Sequence, residues 1–324
     1  MMRIALIALA ALAAPALVIA EPATVSLDTY TEPQLVDHST QRQDVRLKTE
    51  ENQRMTVPVK VSGKGPWQFI VDTGANRTSI SSNLAASLGL QAAGSTQIHT
   101  VSGTRTVETA RIPDLQLSNN NIHDLRAPLL DSVNIGADGM LGVDSLQSQQ
   151  VVFDFTKNTM SIVPAIRKVV TENNGAIVVY GRLLNGRLIV THAEADGNDI
   201  TVVLDTGSEV CIGNEAMRER MQKRGQLTNA GYVELQSVTG EKIPGQYTFV
   251  KKLTFSGVDL NSLAVVFADA HTFHDLGLDN RPALLLGMNA MRAFKKVSID
   301  FAHQTFKVIL PENGSLSPVL VAAR

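Results

Sequence analysis

The strongest constraint on the fold of this chain is an internal repeat. The segment "FIVDTGANRTSIS" (69–81) has a counterpart in "TVVLDTGSEVCIG" (201–213), and Asp205 follows Asp72 by 133 positions. The alignment extends upstream without a gap and pairs "RMTVPVKVSGKGPWQFIVDTGA" with "RLIVTHAEADGNDITVVLDTGS". Each half therefore predicts a β-hairpin with a glycine-containing turn that leads into an Asp-Thr-Gly loop.

The repeat continues downstream in the same order. Each Asp-Thr-Gly loop precedes a short strand and a helical pattern that ends in glycine, at Gly89 and at Gly225, as suits the left-handed residue that closes a helix. The later pairs are "TVSGTRT" and "SVTGEKI", "LQLSNNNI" and "LTFSGVDL", "DGMLGVDSL" and "ALLLGMNAM", and "VVFDFTKNTMSIV" and "VSIDFAHQTFKVI". We interpret the chain as two copies of one β-rich lobe.

Segment boundaries follow from the repeat and from the termini. Residues 1–20 carry Arg3, an apolar run and a small-residue end, which predicts a secretory signal. An uncleaved inner-membrane anchor is the alternative, since the run has the minimum length for spanning a bilayer. Residues 21–50 are polar and predict a flexible leader, with an inhibitory pro-segment as the alternative. The predicted lobes are residues 51–165 and 176–312, and residues 313–324 form a tail.

Composition limits the cellular locations and the binding partners that we expect for this protein. The formal net charge is −2, with no basic stripe, so we expect no nucleic-acid partner. After the signal no segment is long enough to span a membrane. Cys211 is the only cysteine, so no intramolecular disulfide forms, and we predict a buried small hydrophobe rather than a reactive thiol. An exported chain of this size without disulfides fits the bacterial periplasm.

The pattern can be compared with a known family. Two apolar residues, Asp-Thr-Gly, then Ala or Ser, a Gly-tipped hairpin and an apolar-apolar-Gly segment resemble aspartic proteases of the retropepsin/pepsin superfamily, above all the compact bacterial retropepsin-like proteases. The resemblance covers residues 55–310 and occurs twice. It implies an all-β, bilobal, pseudo-two-fold acid-protease fold with a short helix in each lobe. It also implies an aspartic endopeptidase that acts on polypeptides, and as a monomer because both halves share one chain.

The repeated acidic residue has a chemical reason. Two carboxyl groups about 3 Å apart can activate a water molecule and protonate a carbonyl, and aspartic proteases are the standard example. Two such charges repel by roughly 5 kcal/mol at an effective dielectric constant near 20, so the pair holds one shared proton. The resemblance implies that Asp72 and Asp205 are this catalytic dyad. No metal ion or organic cofactor is expected.

Neighbouring residues are expected to support the dyad. Gly74 and Gly207 permit close approaches that a side chain would block, and the resemblance implies that Thr73 and Thr206 hydrogen-bond across to the opposite loop. The apolar-Gly segments should pack behind these loops.

The two loops differ at one position, where the first has Ala75 and the second has Ser208. A hydroxyl at this position can donate to its carboxylate and favour the ionised form, whereas Ala cannot. We therefore expect an asymmetric dyad, with a working pH less acidic than that of an enzyme with hydroxyl groups on both sides.

Two glycine turns resemble flaps, the hairpins that fold over an extended peptide in this superfamily. The candidate substrate-binding residues are Val101, Ser102 and Gly103 in the first, and Val238, Thr239 and Gly240 in the second. A peptide held there would make strand-like backbone hydrogen bonds. The alternative is that both are plain surface turns.

Other candidate sites carry less weight. His271, His274 and Asp275 lie close in sequence but lack a third ligand group with metal-site spacing, so we expect a surface loop there rather than a metal site. Asp154 and Asp300 recur in both copies, each after a strand, and are interpreted as structural turn residues.

Two other functions remain open. A non-catalytic periplasmic protein that binds peptides or envelope polymers could keep the same fold, because fold does not guarantee function. Paired carboxylates also occur in glycosidases, but nothing else in the chain supports that chemistry.

Overall fold

The architecture is that of a computed structural model, which describes residues 45–46, 55–118, 120–165, 176–227 and 231–311. All of these belong to one compact unit, residues 35–324. The predicted signal, the joining segment and the tail lie outside the described residues, as does the predicted leader except for Val45–Arg46. The segment boundaries therefore stay predictions.

Each repeat forms a sheet of its own. The first contains β2 Thr56–Val61, β3 Lys64–Val71, β4 Ser79–Ser81, β5 Gln91–Thr100, β6 Gly103–Leu117, β7 Asn120–Leu130 and β8 Gly139–Leu141. The second contains β12 Arg182–Leu184, β13 Arg187–Ala195, β14 Asn198–Leu204, β15 Cys211–Gly213, β16 Gly231–Gln236, β17 Lys242–Phe255, β18 Val258–Phe267 and β19 Ala283–Leu286.

Strand order is the same in both sheets. The first sheet runs β2-β3-β8-β4-β7-β6-β5, and the second runs β13-β14-β19-β15-β18-β17-β16 with β12 added beside β13. In each, the first hairpin also pairs with a distant strand, β2 with β6 and β13 with β17, so the sheet curls into a barrel-like lobe. The predicted duplication and the all-β, bilobal fold are confirmed.

A third sheet joins the lobes. Its strands are β1 Val45–Arg46, β9 Gln149–Asp154, β10 Thr159–Pro164, β11 Ala176–Tyr180, β20 Lys296–Asp300 and β21 Thr305–Ile309, in the order β1-β10-β9-β20-β21-β11. At its centre β9 pairs antiparallel with β20, and Val152 lies opposite Ser298. These two residues hold equivalent places in the repeated "VVFDF" and "VSIDF" segments, so the pseudo-two-fold axis passes between them.

Each lobe also contains short helices. The sequence predicted one per lobe, and these are α1 Ser82–Leu88 and α4 Glu215–Lys223. The structure adds two more to each lobe: α2 Ser132–Ile135, α3 Val143–Leu146, α5 His271–Asp275 and α6 Met288–Met291. Gly89 closes α1 in the left-handed conformation, with φ 65°, as its position predicted. Among the described residues, no helix is both long and apolar enough to cross a membrane.

The core forms because strand residues alternate between the interior and solvent. In β2 the buried positions are Val57, Val59 and Val61, two residues apart as strand geometry requires. Each fully buried aliphatic side chain contributes about 1.5–3 kcal/mol relative to an exposed one. The Asp-Thr-Gly loops are therefore attached to a sheet whose displacement would expose buried side chains and lower the stability of the protein.

The repeated Asp-Phe segments serve turns. The Oδ1 atom of Asp154 accepts the amide of Lys157 at 3.1 Å, and that of Asp300 accepts the amide of His303 at 2.9 Å. Both aspartates thus close the turn that joins their strand pair, which confirms the structural interpretation.

Candidate active site

The two acidic residues lie at equivalent strand ends. Asp72 follows β3 directly, and its amide donates to Leu141 O at 3.0 Å. Asp205 follows β14, and its amide donates to Leu286 O at 3.1 Å. Because each leucine ends the parallel neighbour strand, β8 or β19, that strand holds the start of the loop. The apolar-Gly segments therefore pack behind the Asp-Thr-Gly loops.

Backbone amides bind each carboxyl group. In the first loop the amides of Gly74 and Ala75 donate to Asp72 Oδ1 at 2.8 and 3.1 Å. In the second loop the amides two and three positions after Asp205 donate to its Oδ1 at 3.0 and 3.2 Å. One oxygen of each carboxyl group is fixed in this way.

The two loops are crosslinked through buried threonines. Thr73 Oγ1 donates to Leu204 O at 3.0 Å and accepts the amide of Thr206 at 3.0 Å. Thr206 Oγ1 donates to Val71 O at 2.8 Å and accepts the amide of Thr73 at 3.1 Å. Four reciprocal hydrogen bonds therefore join the lobes directly beneath the carboxyl groups.

Replacing Thr206 with Val should lower the free energy of unfolding by about 2–5 kcal/mol. The change leaves Val71 O and the amide of Thr73 buried without their partner, and each such loss costs about 1–3 kcal/mol. Thr206→Ser is the matched control, because it keeps the hydroxyl and should cost about 1 kcal/mol or less. Urea unfolding of the three proteins measures the difference. Equal losses in both variants would assign the effect to packing of the methyl group instead.

Each carboxyl group also contacts the glycine of the opposite loop. A Cβ atom on Gly74 would lie 2.7 Å from Asp205 Oδ1, and one on Gly207 would lie 2.2 Å from Asp72 Cγ. Real Cβ atoms do not approach other heavy atoms so closely, so only glycine fits at either position. This reciprocal contact brings Asp72 and Asp205 together at the junction of the lobes.

The environment changes the protonation of the site. Burial, and then the nearby charge of Asp72, raise the pKa of Asp205 from 3.8 to about 7. The charge of Arg187 and the hydrogen bonds from the amides of Gly207 and Ser208 act in the opposite direction. Below this pKa, Asp205 retains a proton that an exposed carboxyl group would have lost.

The expected role of the Ser208 hydroxyl is wrong. Ser208 Oγ donates to Val210 O at 2.7 Å, not to Asp205. The carbonyl of Val210 lies within reach of the side chain, while the carboxylate oxygen already accepts two amides. The difference between Ala75 and Ser208 therefore gives no reason for an asymmetric dyad.

Both glycine turns cross to the opposite lobe. We call residues 100–106 the first flap and residues 237–243 the second flap. Val101 packs against a second-lobe cluster that contains Val203 and Leu285, and Val238 packs against a first-lobe cluster that contains Ile70 and Met140. Neither turn is therefore a plain surface turn.

The flap tips also bind each other. Arg105 Nε donates to Glu241 Oε1 at 2.6 Å, and Ser102 Oγ donates to Glu241 Oε2 at 3.3 Å. The hydroxyl of Thr239 donates to the same carboxylate. The hydrogen bond from Thr239, and next that from Arg105, lower the pKa of Glu241 to about 2. The carboxylate is therefore charged over the ordinary range of pH, and it links the two flaps.

Comparison with known families decides the identity of this arrangement. The sequence profile of the aspartyl protease family matches residues 57–145 and 191–290, which is more than half of the chain. The chain belongs to the aspartyl protease family. The two matched regions contain the two Asp-Thr-Gly loops and the two flaps, one of each per lobe. No curated protein was found to match the chain.

The "HTFHD" segment of the chain has an unexpected position. It forms helix α5 rather than a surface loop, and it contacts the first flap: the amide of His271 donates to Val101 O at 2.9 Å. His271 Nε2 lies 3.2 Å from His99 Nδ1, so the two rings share a hydrogen bond. Within the part of the chain that the structure describes, no three His, Cys, Asp or Glu residues are grouped as metal ligands.

Sequence reasoning missed Arg187, a buried cation of this candidate site. It begins β13 and is 3% exposed. A signal was present, because "RLIVT" and "RMTVP" both begin with arginine in the gap-free alignment, at Arg187 and Arg54. Arg54 lies outside the described residues.

Proposed function

We propose that this protein is an aspartic endopeptidase in which Asp72 and Asp205 share one proton and activate water. The reciprocal contact of each carboxyl group with the opposite glycine is the observation that carries the proposal. The raised pKa of Asp205 supports it, because the reaction needs one protonated and one ionised carboxyl group.

The chemistry follows from these two protonation states. The ionised carboxylate takes a proton from water as the oxygen attacks the peptide carbonyl, and the protonated carboxyl group gives its proton to the carbonyl oxygen. The tetrahedral intermediate then collapses, and the leaving nitrogen receives a proton from the dyad. The amides that bind one oxygen of each carboxyl group keep both groups oriented for these transfers.

The substrate is proposed to be an extended polypeptide. Such a chain would pass between the Asp-Thr-Gly loops and the two flaps, held by backbone hydrogen bonds as in strand addition. The N-terminal sequence supports export to the periplasm, where the substrate would be an exported or envelope protein. The six-stranded sheet, to which both lobes contribute, supports action as a monomer.

The test is digestion of a mixed peptide library in water enriched in heavy oxygen, over a range of pH from about 3 to about 8. We expect internal cleavage, with one heavy oxygen in each new carboxylate. Activity should fall as the pH rises through about 7, because the dyad then loses its shared proton.

The matched control is the double variant Asp72→Asn/Asp205→Asn, purified in the same way. Cleavage that persists in this variant would assign the activity to a contaminant or to another site. Binding of peptides by the wild-type protein, without cleavage at any pH, would establish the non-catalytic binding protein instead.

A further inference from the structure

Arg187 is bound to the first Asp-Thr-Gly loop although it belongs to the second lobe. Its Nε atom donates to Gly74 O at 2.6 Å, and one of its terminal nitrogens donates to Asp275 Oδ2 at 2.6 Å. Its side chain is 4% exposed and that of Asp275 is 15% exposed. The guanidinium group is therefore a buried cation with two fixed partners.

The first of these partners, Gly74, touches both candidate catalytic residues. Its amide donates to Asp72 Oδ1 at 2.8 Å, and the place of its missing Cβ lies 2.7 Å from Asp205 Oδ1. A residue that holds the carbonyl of Gly74 thus controls where this peptide lies between the two carboxyl groups. Arg187 is the side chain that does so.

The positive charge of Arg187 has a second effect. An arginine side chain stays protonated at any pH the protein meets, so Arg187 favours the ionised form of Asp205 and opposes the effects of burial and of Asp72. Asp275 is paired with Arg187, and an opposite charge at that place should offset part of this effect. The two members of the pair would therefore shift the pKa of Asp205 in opposite directions.

We propose that the Arg187–Asp275 pair is a positioning device that orients the Gly74 peptide and sets the pH range over which the dyad keeps its shared proton. The inference rests on the proposed catalytic role of the dyad. Neither residue touches the reacting atoms, and both act through Gly74 and Asp205.

Other ionisable groups near the pair have to be controlled. His99 of β5 has its Nδ1 atom 3.7 Å from Asp275 Oδ1, and it is bound in turn to His271 of α5. His274, also on α5, is paired with Asp269 and Asp279. The experiment is therefore repeated in a His99→Gln background, which removes the imidazole beside Asp275.

The test compares Arg187→Met with Asp275→Asn through the pH dependence of kcat/KM. Removing the cation raises the pKa of Asp205, so the basic limb should move to higher pH by about half a unit or more. Removing the anion leaves Arg187 uncompensated, so the basic limb should move to lower pH by a similar amount. Shifts in the same direction, or no shift in either variant, would overturn the proposal.

Two further variants separate orientation from charge and from general effects. Arg187→Lys keeps the positive charge but loses the fork that reaches two acceptors, so kcat should fall while the basic limb stays in place. This variant and Asp275→Asn carry the test if Arg187→Met does not fold. The matched control is the exposed Arg111–Asp124 pair, where Arg111→Met and Asp124→Asn should shift nothing.

A second readout keeps this inference separable from the proposed function. The carboxyl carbon of Asp205 can be titrated by nuclear magnetic resonance, with its signal assigned by its loss in Asp205→Asn. If the wild-type protein cleaves no peptide, the proposed function fails, yet the two opposite shifts should still appear in this titration. Cleavage with an unmoved titration would instead overturn the role of Arg187 and leave the protease intact.

Discussion

Replacing Asp205 with Asn should reduce kcat/KM for a cleaved peptide by about a thousandfold or more, and Asp72→Asn should do the same. Each substitution leaves one carboxyl group where the reaction needs both an acid and a base, a contribution of about 10²–10⁴-fold for a single group. Because the two residues act as a unit, the double variant should be little worse than either single one. Steady-state kinetics on one peptide measures all three. Cleavage that is unchanged in either single variant would remove that residue from the mechanism.

The variant Asp205→Asn should also change how the stability of the protein depends on pH. Because the pKa of Asp205 is raised from 3.8 to about 7, the folded state binds this proton more tightly than the unfolded state does. Stability from this group is therefore lost as the pH rises from about 4 to about 7. Asparagine has no such proton to lose. The free energy of unfolding of Asp205→Asn, measured relative to that of the wild type, should therefore be higher at pH 8 than at pH 4 by up to about 4 kcal/mol. An equal difference at both pH values would contradict the burial of a charged group.

Replacing Gly207 with Ala should lower kcat/KM by about a hundredfold or more. The new Cβ would lie 2.2 Å from Asp72 Cγ and 2.3 Å from its Oδ2. Asp72 cannot turn aside freely, because the amides of Gly74 and Ala75 bind its other oxygen. The loops must therefore separate by roughly 1 Å, a displacement that costs about a hundredfold at a catalytic group.

The control for this substitution is Gly197→Ala, at the turn of the hairpin that leads into the same loop. Its Cβ would meet nothing within 4 Å, although its φ of +74° strains any other residue. We expect a loss of about 1 kcal/mol in stability and activity within about threefold of wild type. Equal activity of Gly207→Ala and Gly197→Ala would show that the loops do not need the close approach.

Much of the fold was predictable because the repeat doubles every local signal. Apolar runs before Asp72 and Asp205 predicted strands, Gly turns predicted hairpins, and Gly89 predicted a helix end. Local sequence patterns of this kind report the local backbone conformation, so they can be interpreted without any tertiary information. The equal order of features in both halves then implied the equal strand order that the sheets have.

The two sequence-based expectations that the structure corrects failed for the same reason. Ser208 was expected to donate to Asp205 and donates to Val210 O instead, because the loop backbone curls within its reach. The "HTFHD" segment was expected to be a surface loop and is a short helix that is hydrogen-bonded to the first flap. In both cases, the nearest partner of a polar group depended on the path of the chain in space.

The order of residues along the chain was sufficient to establish two β-rich halves, their hairpins and the two acidic loops, since these depend on short-range periodicity and on similarity between the halves. Only the tertiary structure brought together residues that lie far apart in the sequence: Arg187 with Gly74, Val101 with the second lobe, and Arg105 with Glu241. Such contacts depend on how close-packed lobes meet, and the few ångströms that decide a hydrogen bond leave no periodic trace in the sequence.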